Sequence, residues 1–155
     1  MITTDDDLGL LLNAATERVL TLAQTWLGWD GRPRVTADGE RIYTPHKALR
    51  RYADHLVDHL AQTQALLVGK TPLDDEWHAS LVTLDSDWAR FTEADLREAQ
   101  QRLRRLAATY QQVLDAAGKA ACDAPRGDGA WTLREIAVHV ADAWYAEQVG
   151  DLSTG

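Results

Sequence analysis

The sequence predicts an all-α protein: a four-helix bundle with a long crossover loop at about 69–91, occupying residues 1–155 as one domain. Three observations predict it. Four segments repeat apolar residues three and four apart, the spacing of one helix face. Each is preceded by a threonine able to cap a helix: Thr4, Thr44, Thr92 and Thr132. Three end at a glycine, Gly28, Gly69 or Gly118, a natural helix stop. A chain of 155 residues suffices for one sizeable core, and 45% hydrophobic residues argues against disorder.

The first helix is expected at 5–27. Thr4 and Asp7 resemble a capping box, and Leu8, Leu11, Leu12, Ala15, Val19, Leu22 and Trp26 share a face. In the connector 28–42, Asp38-Gly39 predicts a tight turn, so Arg34–Thr36 and Glu40–Ile42 suit a very short hairpin. The second helix is expected at 45–68, with Pro45 at its first position. Leu49, Ala53, Leu56, Leu60 and Leu67 make its core stripe. Arg50, Arg51, Asp54 and Asp58 point mostly away. The link 69–91 is long for a compact domain, so it reads as a crossover. Its Trp77, His78 and Trp88 either cover the bundle's open end or line a pocket.

The third helix is expected at 93–117, capped by Thr92 and Asp95. Leu96, Ala99, Leu103, Leu106, Tyr110 and Val113 form its seam. Residues 118–130 read as a loop. The fourth helix is expected at 132–149, with a full Thr132–Glu135 capping box and Trp131 stapled onto Ile136. Its stripe is Leu133, Ile136, Val140, Ala143 and Trp144, and Glu147 falls within it.

Charge and cysteine content exclude several functions. A net charge of −8 argues against a nucleic-acid partner. The one basic cluster, Arg102, Arg104 and Arg105, reads as a solvated helix face. A single cysteine, Cys122, forms no internal disulfide and reads as a packing residue. No apolar run approaches the ~20 residues of a membrane span. The acidic MITTDDDLG start is unlike a signal peptide, so the expectation is a cytoplasmic protein.

The histidines carry the chemistry. His55 and His59 are four apart, on one helix face about one turn from each other. Such a pair can bind one metal ion. His139 lies on the corresponding edge of the fourth helix and is the expected third ligand. Facing helices of bundles build such sites. Three imidazoles without a thiolate suit zinc, nickel or iron(II). HxxxH without the glutamate of HExxH is not a protease signature. Glu147, His78 and Asp142 are the weaker expectations for residues that orient ligands or move protons.

At these residues the chain resembles the DinB/YfiT-like superfamily of metal-dependent bundle proteins. WTLREIAVHVADAWYAEQV resembles its W-S/T-x-x-E-I/L-x-x-H-x-x-D-A signature, and His55-Leu-Val-Asp-His59-Leu-Ala-Gln62 resembles its H-x-x-x-H-R-G-Q helix. Two departures are visible. The HxxxH helix precedes the single-His helix here, and Leu60-Ala61 replaces Arg-Gly. The resemblance implies a homodimeric bundle holding a divalent metal on His55, His59 and His139. It also implies a low-molecular-weight-thiol S-transferase or isomerase acting on a small-molecule substrate. The alternative is a non-catalytic bundle that binds a small molecule or protein and whose histidines are structural.

Overall fold

The computed structural model describes residues 8–74 and 81–153, and within them the protein is mostly helical. The first helix, α1 (Leu8–Ala23), runs on into a 3-10 turn at Gln24–Trp26. Leu8, Leu12, Ala15, Val19 and Trp26 are buried as their spacing predicts, while the Thr4–Asp7 cap lies outside the described residues. Two short strands follow, β1 (Arg34–Val35) and β2 (Ile42–Tyr43). They are antiparallel, with Arg34 opposite Tyr43. The turn between them uses Gly39 at φ +76° and the Asp38 carboxylate, which accepts from Glu40 N–H at 3.0 Å.

Thr44 opens α2 (Pro45–Leu67), its hydroxyl accepting from Lys47 N–H at 3.2 Å. The helix closes on Gly69, with Lys70 N–H reaching back to Ala65 O and Gly69 N–H to Leu66 O. Its buried face is rotated from the expected stripe. Ala48, Leu49, Tyr52, Leu56 and Thr63 are buried, whereas Leu67 is exposed. Arg51, expected to point away, is 7% exposed, because Tyr43 and Tyr145 cover that side. Lys47 is buried there as well.

The link after α2 is tied back to that helix. It contains a 3-10 turn at Asp85–Trp88, and Asp87 within it is buried. Arg50 donates to both Asp87 oxygens, at 3.2 and 2.7 Å, and Leu84 N–H donates to Asp87 Oδ2 at 2.8 Å. The Asp87 carbonyl accepts from Thr44 Oγ1 at 2.7 Å. Phe91, rather than the exposed Trp88, fills the space beside Trp26. Trp77 and His78 lie outside the described residues.

The reciprocal Thr92–Asp95 cap opens α3 (Glu93–Ala117). Its seam is Ala99, Leu103, Ala107, Tyr110 and Leu114. Ala107 and Leu114 take the central places expected of Leu106 and Val113. Arg102, Arg104 and Arg105 are solvent-exposed. The stretch read as a loop contains one helical turn, α4 (Lys119–Asp123). It exists to bury Cys122, whose Sγ lies 3.7 Å from Leu114 O and whose thiol pKa burial pushes up.

The expected 132–149 helix is two helices, α5 (Leu133–Ala141) and α6 (Tyr145–Val149). No glycine or proline lies at the break. Ala143 N–H turns to Val140 O, and Arg18 of α1 donates to the released Ala141 and Ala143 carbonyls at 3.0 and 3.3 Å. The same guanidinium holds Glu147 Oε1 at 2.8 Å. Glu147 is therefore an exposed surface partner, not a stripe residue, and Trp144 is 69% exposed. One cluster of buried apolar side chains joins all the helices: Leu12 and Val19, Tyr52 and Leu56, Leu103 and Tyr110, Cys122, Ile136 and Val140, Ala146 and Val149. α1 packs mainly on α3 and then α5, whereas α2 packs equally on α3 and α6 and less on α5. No helix among the described residues is long and apolar enough to cross a membrane.

Candidate metal centre

His55 and His59 come from the middle of α2 and His139 from the last turn of α5, the helix that packs beside it. Thr132 fixes where α5 begins, through Glu135 N–H at 3.1 Å. It thereby sets the rotation that brings His139 toward α2. The ring centroids are 4.5 Å apart for His55–His59, 4.9 Å for His55–His139 and 5.0 Å for His59–His139. One nitrogen from each ring lies within 4.8 Å of the others. Tetrahedral zinc with bonds of 2.0–2.1 Å needs nitrogens about 3.3 Å apart, so modest side-chain rotations close the set.

The surroundings prepare these rings as neutral donors. His59 Nδ1–H donates to Gln62 Oε1 at 2.7 Å, which leaves Nε2 with its lone pair. His55 Nε2 is buried and has no hydrogen-bond partner. Burial first, then repulsion from His59, His139 and Arg51, lowers the His55 pKa to about 3. The His139 pKa is lowered too, by burial and then by His59, while Asp142 opposes the shift. His55 and His139 thus resist protonation, as ligands that bind only when neutral must. His139 stands on the solvent side, with the half-exposed Trp131 ring 5.0 Å away. The Trp131 ring thus packs against His139.

The weaker candidates divide. Asp142 is exposed and acts on His139 only through space. Glu147 belongs to Arg18, and His78 lies outside the described residues. Gln62 was assigned no role by sequence reasoning. Its position three residues after His59, one helical turn on, was the available signal. Tyr145, whose ring stands edge-on to His55 at 5.7 Å, was hidden by the break before α6. A separate groove of about 480 Å³ between α2 and α3, lined by His46, Arg50, Asp54, Asp87 and Asp95 among others, includes none of the three histidines.

The pKa shift at His55 has a stability consequence. Its folded value, about 3, lies below the unfolded ~6.5. Between these values the unfolded chain binds a proton that the folded chain does not, so stability falls as pH falls. From pH 6.5 to 5.0 the metal-free protein should lose about 2 kcal/mol through this residue. Urea unfolding at the two pH values should show the loss, and His55→Gln should remove most of it. An equal loss in the variant would place the effect elsewhere.

Comparison with family models, with curated proteins and with solved structures finds no match to this chain.

Proposed function

We propose that this chain is a metal-dependent enzyme of the DinB/YfiT-like type, a four-helix bundle in which His55, His59 and His139 hold one divalent ion. The observation that carries this reading is the convergence of three imidazoles, with the buried His55 Nε2 lacking any partner. The donor set fits zinc, nickel or iron(II). The packing of α1 on α3 and α5, and of α2 on α3, α5 and α6, supports the bundle.

A bound ion would supply Lewis acidity, lowering the pKa of a thiol or water at the site. The chain's own residues do the rest. Gln62 fixes the His59 ring and its tautomer. The apolar packing beneath α2 and α5 excludes water from the inner side of His55. The favoured reaction is transfer or isomerisation that uses a low-molecular-weight thiol. A non-catalytic binding module is the second reading, favoured by the separation of the α2–α3 groove from the histidines.

Elemental analysis of protein purified without chelators tests the metal reading, with about one equivalent of metal per chain expected. Protein loaded with zinc, nickel or iron(II) should then speed the reaction of cysteine with an arylating electrophile. Stoichiometric metal with no acceleration by any of the three would leave the binding-module reading.

A further inference from the structure

Among the described residues, two buried side-chain atoms lack a hydrogen-bond partner: His55 Nε2 and Arg51 Nε. They belong to side chains one helical turn apart on α2 that rest against the same Tyr145 ring. The Arg51 guanidinium carbon is 4.4 Å from its centroid, and the His55 ring centroid is 5.7 Å away. The proposed metal accounts for His55. Nothing in the fold accounts for Arg51.

The guanidinium is held in place but not neutralised. Nη1 donates to Tyr43 OH at 2.5 Å, and the Tyr43 and Tyr145 rings lie 5.9 and 4.4 Å from the guanidinium carbon. No ion pair among the described residues includes Arg51. Asp54, three residues on, acts on Arg51 only through space and lines the α2–α3 groove. A second buried cation, Lys47, flanks the same Tyr43 ring at 5.2 Å. It donates to Ile42 O and Thr83 Oγ1, neither of them charged. Two buried cations thus stand beside the three histidines with no carboxylate hydrogen-bonded to either cation. Buried charge ordinarily has a partner.

The free edge of Arg51 indicates which partner. With Nη1 engaged by Tyr43, the Nε–Nη2 edge remains, and no hydrogen bond is made from it. That edge presents two parallel N–H groups, a match for the two oxygens of a carboxylate. At 7% exposure, Arg51 leaves no room for a bulky partner.

We propose that Arg51 is a specificity-determining residue that binds the carboxylate of a small-molecule ligand of the His55–His59–His139 site. The inference rests on the metal reading of that site, and the experiment separates the two. The ¹⁵N-labelled protein, zinc-loaded and metal-free, is titrated with acetate and with its neutral isostere acetamide. The Arg51 Nε–H resonance is assigned by through-bond correlation from its own backbone and by its absence in Arg51→Lys.

Acetate should shift this resonance saturably, and acetamide should not. Acetate affinity, followed on neighbouring backbone amides, should fall about tenfold or more in Arg51→Lys, which keeps the charge but loses the fork. Zinc binding, read from the histidine ring resonances, should be retained in that variant. Absence of an acetate shift at Nε–H, or an equal shift with acetamide, overturns the proposal. Unchanged acetate affinity in Arg51→Lys also overturns it. Histidine resonances that ignore zinc would overturn the metal reading, while the metal-free titration still decides the role of Arg51.

Discussion

Zinc or nickel added to metal-free protein at a hundredfold excess over its Kd should stabilise the fold by about 2.7 kcal/mol. For a chain of this size that is a rise in Tm of about 5–11 °C. The effect follows from linkage: the unfolded chain separates His139 from the α2 pair by eighty residues and offers no formed site. In the folded protein the three rings already stand with centroids 4.5–5.0 Å apart. His139→Ala leaves two ligands on α2 and should lose most of the shift, as should His55→Ala. Protons should compete with the metal at His55 only as pH approaches about 3, because burial keeps that ring neutral above it. An undiminished shift in His139→Ala would show that the third ligand is misassigned.

Asp87→Ala should cost about 3 kcal/mol, the lower end for breaking a buried ion pair, since the Arg50 side chain keeps some access to solvent. The Asp87 carboxylate is 2% exposed and satisfies both Arg50 and the Leu84 N–H. Removing it leaves a guanidinium half out of water and an amide without its acceptor. Asp87→Asn should cost less, because an amide oxygen can still accept from Leu84. Equilibrium urea unfolding measures both. Zinc affinity of the folded variants should match the wild type, since the pair ties the crossover to the start of α2, not to the histidines. A cost below about 0.5 kcal/mol, the range of ordinary surface changes, would refute the role given to this pair.

Much of the helical layout was legible because it is written locally. Thr44–Pro45, Thr92–Asp95 and Thr132–Glu135 fix helix starts through contacts a few residues long, and Gly69 and Gly118 fix ends. The convergence of His55, His59 and His139 was legible for a related reason. Two rings share a face by helical spacing, and the third lies beside an apolar stripe that had to face inward.

What escaped depends on contacts distant in sequence. The break after Ala141 is held by Arg18, 123 residues earlier, and the local pattern runs through it without a signal. Arg51 looked like a surface charge because the two tyrosines that cover it come from β2 and α6. Glu147 looked buried because an unbroken helix would have carried it inward. The rotation of the α2 face toward Tyr52 reflects hydrogen bonds to partners on other helices: Tyr52 with Thr16, and Thr63 with Tyr110.

The break between α5 and α6 also bears on how the interior is reached. α6 has five residues, too few to be stable as an isolated helix. It stays in place through Ala146 and Val149, the Arg18–Glu147 pair, and the Trp26 Nε1–H bond to Gly150 O at 2.7 Å. A segment this short, set off by the break before Tyr145, is an expected unit of local opening below global unfolding. Tyr145, which it carries, covers both Arg51 and His55. Opening of this one short segment would admit solvent and small solutes to these two side chains while the long helices keep their amides protected.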